Sequence, residues 1–104
     1  MNEVLAERIR RKLETLSDEQ VYQLLDYLEF DDGFALAKIR APRAVSGKLL
    51  GESGIRRRFG VTVVGVKEPG REFTYADKDT LIEPGALLAV SGPSESIDRF
   101  ALET

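Results

Sequence analysis

The sequence predicts an α+β fold: a small sheet of about four strands with flanking helices, preceded by a helical N-terminal arm. Three observations carry this. Leucines recur at helical spacing through the first 29 residues. β-branched and apolar residues then gather in short runs bounded by Gly and Pro. An amphipathic stretch follows the last of those runs.

The first segment, Glu3 to Leu13, places Leu5, Ile9 and Leu13 on one helical face, with Arg8, Arg10, Arg11 and Lys12 around the rest. So narrow a stripe predicts a helix that docks on something. A second helix is predicted from Asp18 to about Glu29. Ser17 and Gln20 form a capping box, Leu16 and Val21 occupy hydrophobic-staple positions, and Val21, Leu24, Leu25 and Leu28 make an apolar stripe. Asp31-Asp32-Gly33 ends it with a turn.

Phe34 to Ala41 reads as a strand stopped by Pro42, with Ala35, Ala37 and Ile39 on one side and Phe34, Leu36 and Lys38 on the other. Ser46-Gly47 turns the chain into a helix expected from Lys48 to Phe59. Gly51 and Gly54 weaken that helix by about 1 kcal/mol each relative to Ala. Gly60 ends it, and the run Val61 to Val66 suits a buried strand. Glu68-Pro69-Gly70 leads to a partner strand over Arg71 to Tyr75. Pro84-Gly85 precedes a strand from Ala86 to Ser91, which Gly92-Pro93 breaks. Ser94 is placed to cap a last helix bearing Ile97, Phe100 and Ala101 on one side.

The chain of 104 residues is the size of one domain, and its net charge of −3 disfavours a dedicated nucleic-acid binder. It contains no cysteine and no histidine. Disulfides, zinc–thiolate sites, thiol nucleophiles and histidine-based triads are thereby excluded within it. Asp77, Asp79 and Glu83 match no calcium-loop spacing, so no metal site is expected. No apolar run approaches bilayer length, and Met1-Asn2-Glu3 does not open a signal peptide. A cytoplasmic location is expected, peripheral to the membrane through a partner.

Two stretches stand out jointly. One is Ser46-Gly47-Lys48-Leu49-Leu50, followed by Ile55-Arg56-Arg57-Arg58-Phe59-Gly60-Val61-Thr62-Val63-Val64-Gly65-Val66-Lys67. The other is Asp79-Thr80-Leu81-Ile82-Glu83-Pro84-Gly85-Ala86-Leu87-Leu88-Ala89-Val90-Ser91-Gly92. In this order they resemble the TrkA-C domain, the C-terminal domain of regulators of potassium conductance. The resemblance covers roughly residues 34 to 100. Leu25-Asp26-Tyr27-Leu28-Glu29 is similar to the segment entering this domain in Ktr-type subunits. Those carry a preceding Rossmann domain, and no Gly-x-Gly-x-x-Gly occurs here. Residues 1–32 are therefore expected to be an arm from an absent Rossmann domain, and residues 33–104 the regulatory domain.

The resemblance implies a homodimer that binds cyclic di-AMP at its interface and acts on a potassium-translocating membrane subunit. It assigns Arg56 to a phosphate, which a guanidinium fork suits. It places Leu50 and Val63 beside the base. Thr62 stands where the family often has Asn, keeping a hydroxyl without the amide, and Tyr75 near a position often held by Pro. Ala86, Ser53 and Lys38 also depart from the usual residues. A ligand with its own two-fold symmetry would match two copies of Arg56 across a dimer axis. The alternative is a dimerisation and coupling module that binds no small molecule. With no paired acid and base in view, an enzyme is not expected.

Overall fold

The computed structural model describes Ser17 and residues 23–30 and 32–103. The helix predicted over Glu3–Leu13 lies outside these residues, as does most of the capping-box segment.

Five strands form one antiparallel sheet in the order β1-β2-β5-β3-β4, the four expected from the sequence and one more. The strands are β1 (Leu24–Glu29), β2 (Phe34–Arg40), β3 (Thr62–Lys67), β4 (Phe73–Tyr75) and β5 (Leu87–Pro93). Three short helices accompany them: α1 (Leu50–Ser53), α2 (Ile55–Phe59) and α3 (Ser94–Ala101). A 3-10 turn spans Arg43–Val45.

The additional strand corrects the helix predicted to Glu29. Residues Leu24–Glu29 pair antiparallel with β2, and the register slips between Leu24 and Asp26. That bulge inserts one residue, so Leu24 and Tyr27 both face the core although they are three apart. Three-residue spacing of buried positions imitates a helix. Val63 and Val66 repeat the device in β3, where the register slips between Val63 and Gly65. The boundary expected near Asp31–Gly33 falls in the β1–β2 hairpin, where Phe30 N donates to Phe34 O at 2.8 Å and Gly33 N to Phe30 O at 3.1 Å.

A second correction concerns the helix predicted from Lys48 to Phe59. Gly54 takes φ +74°, in the left-handed region, and splits it into α1 and α2. Ser53 Oγ bridges the break, donating to Leu50 O at 2.7 Å and accepting from Ile55 N at 3.3 Å.

The sheet buries one face. Ala35 and Ile39 of β2, Leu88 and Val90 of β5, and Val63 and Val66 of β3 lie there with at most 8% exposure. Ile55 and Phe59 of α2 and Ile97 and Phe100 of α3 cover them. The rings of Phe59 and Phe100 sit 5.1 Å apart, tilted by 48°, a favourable aromatic geometry. Arg99 Nη2 donates to Phe59 O at 3.2 Å, satisfying a carbonyl at the end of α2. The opposite face is open: Leu28 and Leu36 stand directly across from one another and remain exposed.

Ser94 does not cap α3. Pro93 is the cap residue and makes no side-chain bond, because proline ends β5 and turns the chain. Ser94 instead ties the helix start to the first hairpin. Its N–H donates to Gly33 O at 2.8 Å, and its hydroxyl lies within bonding reach of Glu29 Oε1 and Gly33 O. Tyr27 OH donates into the same cluster, with Glu29 Oε1 at 2.5 Å and Ser94 Oγ at 3.0 Å. Burial pushes the Tyr27 phenol well above its ordinary value near 10, and the bond to Glu29 adds to the effect.

Two outcomes follow. Phe100→Ala should lower stability by about 3–5 kcal/mol in urea titration, since a fully buried ring is lost. Because the folded chain holds the Tyr27 proton more tightly than the unfolded one, this stabilisation is complete below pH 10 and is lost as pH rises further. Tyr27→Phe should cost about 1–3 kcal/mol at pH 7 and should flatten the loss of stability as pH rises above 10.

Candidate functional site

The chain from Gly47 to Gly51 lies against the chain from Lys78 to Ile82. Gly47 N donates to Ile82 O at 2.6 Å, Ile82 N to Lys48 O at 2.9 Å, Leu50 N to Thr80 O at 2.7 Å and Gly51 N to Lys78 O at 2.8 Å. Leu49 and Leu81 form an antiparallel bridge in the middle. At the end of this ladder the two backbones approach closely. A Cβ on Gly51 would meet Lys78 Cβ at 2.9 Å and Lys78 O at 3.1 Å, so only glycine fits.

A turn at Asp77 to Thr80 fixes the second wall. Asp77 Oδ1 accepts from Asp79 N at 2.9 Å and from Thr80 Oγ1 at 3.3 Å, and Thr80 Oγ1 accepts from Asp77 N at 3.0 Å. The Asp77 carboxylate is thus spent on its own turn, which gives it a structural role.

Between α1–α2, the start of β3 and this turn lies an open groove of about 890 Å³. Leu50, Gly51, Glu52, Gly54, Ile55, Arg56 and Arg57 line it from the helices. Val61, Thr62 and Val63 line it from β3, and Ala76, Asp77 and Lys78 from the turn. Four of the five residues expected at a site converge here: Leu50, Arg56, Thr62 and Val63. They come from α1, α2 and β3, up to 13 positions apart.

Tyr75 is not among the lining residues. It is 97% exposed at the end of β4, not half-buried as a residue of that sheet would ordinarily be. The chain reaches the groove one residue later, at Ala76.

Arg56 is exposed and makes no ion pair or side-chain hydrogen bond among the described residues. The basic triplet divides. Arg56 and Arg57 face the groove, whereas Arg58 turns to Glu103 Oε1 at 3.3 Å and lies over the Phe59 ring at 4.9 Å. The lining carries three basic side chains, Arg56, Arg57 and Lys78, and two acidic ones, Glu52 and Asp77. Three cations against two carboxylates leave the lining with a net charge of +1, which favours an anion. Leu50, Ile55 and Val63 add apolar surface, so the site suits a ligand that joins a flat apolar group to phosphate.

Sequence reasoning missed Arg57, Ala76 and Lys78. Adjacency to Arg56 was a signal for Arg57, yet a three-residue basic run more often covers a solvated surface. Nothing local marks Lys78, whose place is set by the ladder to Gly51. Among the described residues, no helix is long and apolar enough to cross a membrane.

The sequence pattern of the TrkA-C domain matches residues 34–103. The Ktr system potassium uptake protein A of Bacillus subtilis (strain 168) is 26% identical over 90 residues, covering 86% of this chain and 39% of the relative. The chain thus spans about two-fifths of that protein's length. Among solved structures, the GsuK channel bound to NAD superposes with a TM-score of 0.61 at 28% identity, covering 66% of this chain and 13% of the other. The RCK C domain of the potassium transport protein KtrA, in complex with cyclic diadenosine monophosphate, gives a TM-score of 0.59 at 18% identity. It covers 92% of this chain and 95% of that one, a likeness of fold.

Gly51→Val should shift the 77–80 wall and cost about 1–3 kcal/mol, as overpacking does. The expected readout is amide chemical-shift change at Lys78 and Asp79 together with a lower denaturation midpoint. A variant with unchanged shifts would show that the two walls are not locked together.

Proposed function

The chain belongs to the TrkA-C domain family, and from that premise we propose that it is a ligand-sensing regulatory domain that binds cyclic di-AMP in this groove. A second copy closes the open side, forming a homodimer. The dimer acts on a potassium-translocating membrane subunit and sits peripheral to the membrane through that partner. The observation that carries the reading is the convergence of Arg56, Leu50, Thr62 and Val63, from three separate elements, on one groove. A cyclic dinucleotide carries two phosphates and two purines, and the groove offers cations beside apolar surface to both kinds of group.

Arg56 is the phosphate contact, with two donors available to one phosphate. Leu50 and Val63 flank a base. Thr62 supplies a hydroxyl where an amide would discriminate more strongly. Tyr75 reaches a ligand only where that ligand extends past Ala76 toward the edge of the sheet. Occupancy favours whichever mutual arrangement of the two copies fits the ligand, and this biases the attached subunit. The protein's role is binding and coupling, not catalysis.

The position of Tyr75 outside the groove favours the second reading, a dimerisation and coupling module with no small-molecule ligand. Thermal unfolding separates the two. Cyclic di-AMP at one hundred times its Kd should stabilise the protein by about 2.7 kcal/mol. Arg56→Ala should abolish the shift, and Arg43→Ala, an exposed cation outside the groove, should leave it unchanged. NAD serves as a non-cyclic adenine dinucleotide control. No response of the unmodified chain to saturating cyclic di-AMP leaves only the coupling module.

A further inference from the structure

We infer, on the reading of the groove as a nucleotide site, that Lys78 is a specificity-determining residue of it. Lys78 meets a phosphate from a second wall and sets the groove's preference by the number of negative charges a nucleotide carries.

The backbone fixes where this side chain starts. Gly51 N donates to Lys78 O at 2.8 Å, and a Cβ on Gly51 would meet Lys78 Cβ at 2.9 Å. The root of the lysine is thus seated against α1, one residue from Leu50. The turn that bears it is closed by its own bonds, from Asp79 N to Asp77 Oδ1 at 2.9 Å and from Asp77 N to Thr80 Oγ1 at 3.0 Å. Lys78 lines the groove with Arg56 and Leu50 although it stands 22 positions from the first and 28 from the second.

The charge is uncommitted. Lys78 is exposed and makes no ion pair or side-chain hydrogen bond among the described residues. Asp77 beside it spends Oδ1 on the turn. Glu52 and Asp79 are the other exposed acids nearby, and neither pairs with Lys78. Arg57 does not fill the same role. It follows Arg56 directly on α2, and consecutive helical side chains diverge by about 100°, so the two do not converge on one phosphate. A second charge for the phosphate held by Arg56 comes from the turn.

The two cations differ in what they recognise. A guanidinium fork fits the shape of one phosphate, whereas an ammonium is a point charge on a flexible stem. The attraction of a point charge scales with the charge it meets, so a terminal phosphate with two charges gains more from Lys78 than a diester with one. The apolar contacts of Leu50, Ile55 and Val63 are the same for both. Lys78 therefore discriminates between ligands that share their bases and differ in phosphate charge.

Calorimetric titration at low salt tests this with two probes, cyclic di-AMP and the linear diadenylate that ends in one terminal phosphate. The ratio of linear to cyclic affinity should fall several-fold in Lys78→Met, which keeps the stem and the backbone bonds. Lys78→Arg should retain the ratio, as should Arg43→Ala, an exposed cation outside the groove. The melting temperature of Lys78→Met without ligand should match that of the unmodified chain. A ratio unchanged in Lys78→Met overturns the role of Lys78 and leaves the cyclic di-AMP site standing. Binding of the cyclic probe alone also overturns it, since the more highly charged ligand is then excluded. Binding of the linear probe alone, lost several-fold in Lys78→Met, supports Lys78 and ends the cyclic di-AMP reading. Binding of neither probe sinks both.

Discussion

A single apolar layer lies between the sheet and two of its helices, and the placement of every other part follows from it. Leu88 and Val90 of β5 sit at its centre, with Ile39 on one side and Val63 and Val66 on the other. Ile97 and Phe100 close it from above. With one central strand and an eight-residue helix, a domain of this size has little core to spare. The polar ties reinforce the layer at its rims. Arg99 holds the end of α2, and Tyr27, Glu29 and Ser94 hold the first hairpin to α3.

The groove exists because the strand beside β3 is short. β4 pairs only with Gly65, Val66 and Lys67, and the chain then leaves the sheet at Ala76. On the side away from β5 the first residues of β3 are left without a strand beside them, and the helices and the 76–78 segment frame the gap. The ladder between residues 47–51 and 78–82 gives the frame its rigidity. The walls thus come from segments about 30 residues apart, joined by backbone bonds that do not depend on side-chain identity except at Gly51. Such a frame tolerates substitutions in the lining, so relatives of one fold can present different contacts to a ligand.

The helices that frame the groove are short. Gly54 breaks the segment that carries Arg56, and Ser53 bridges the break with two hydrogen bonds. Neither α1 nor α2 is long enough to persist without the core beneath it. Arg56, the proposed phosphate contact, lies on α2, whose Phe59 packs against Phe100 of the last helix.

Much of this was legible in the chain itself. The β-branched run before Lys67, the alternation in Phe34–Arg40 and the amphipathic end fix two strands of the sheet and the covering helix, because burial on one face imposes periods of two and 3.6 that a reader can count. The resemblance to the TrkA-C pattern singled out Leu50, Arg56, Thr62 and Val63, which the fold brings to one groove. Only the tertiary structure decided that Leu24–Glu29 is a strand, since a bulge gives it helical spacing and only pairing with β2 reveals the period. Only the tertiary structure placed Lys78 in the groove and Tyr75 outside it. Those positions depend on where β4 stops and on which backbones meet at Gly51, and long-range contacts of that kind leave no periodic trace in a sequence.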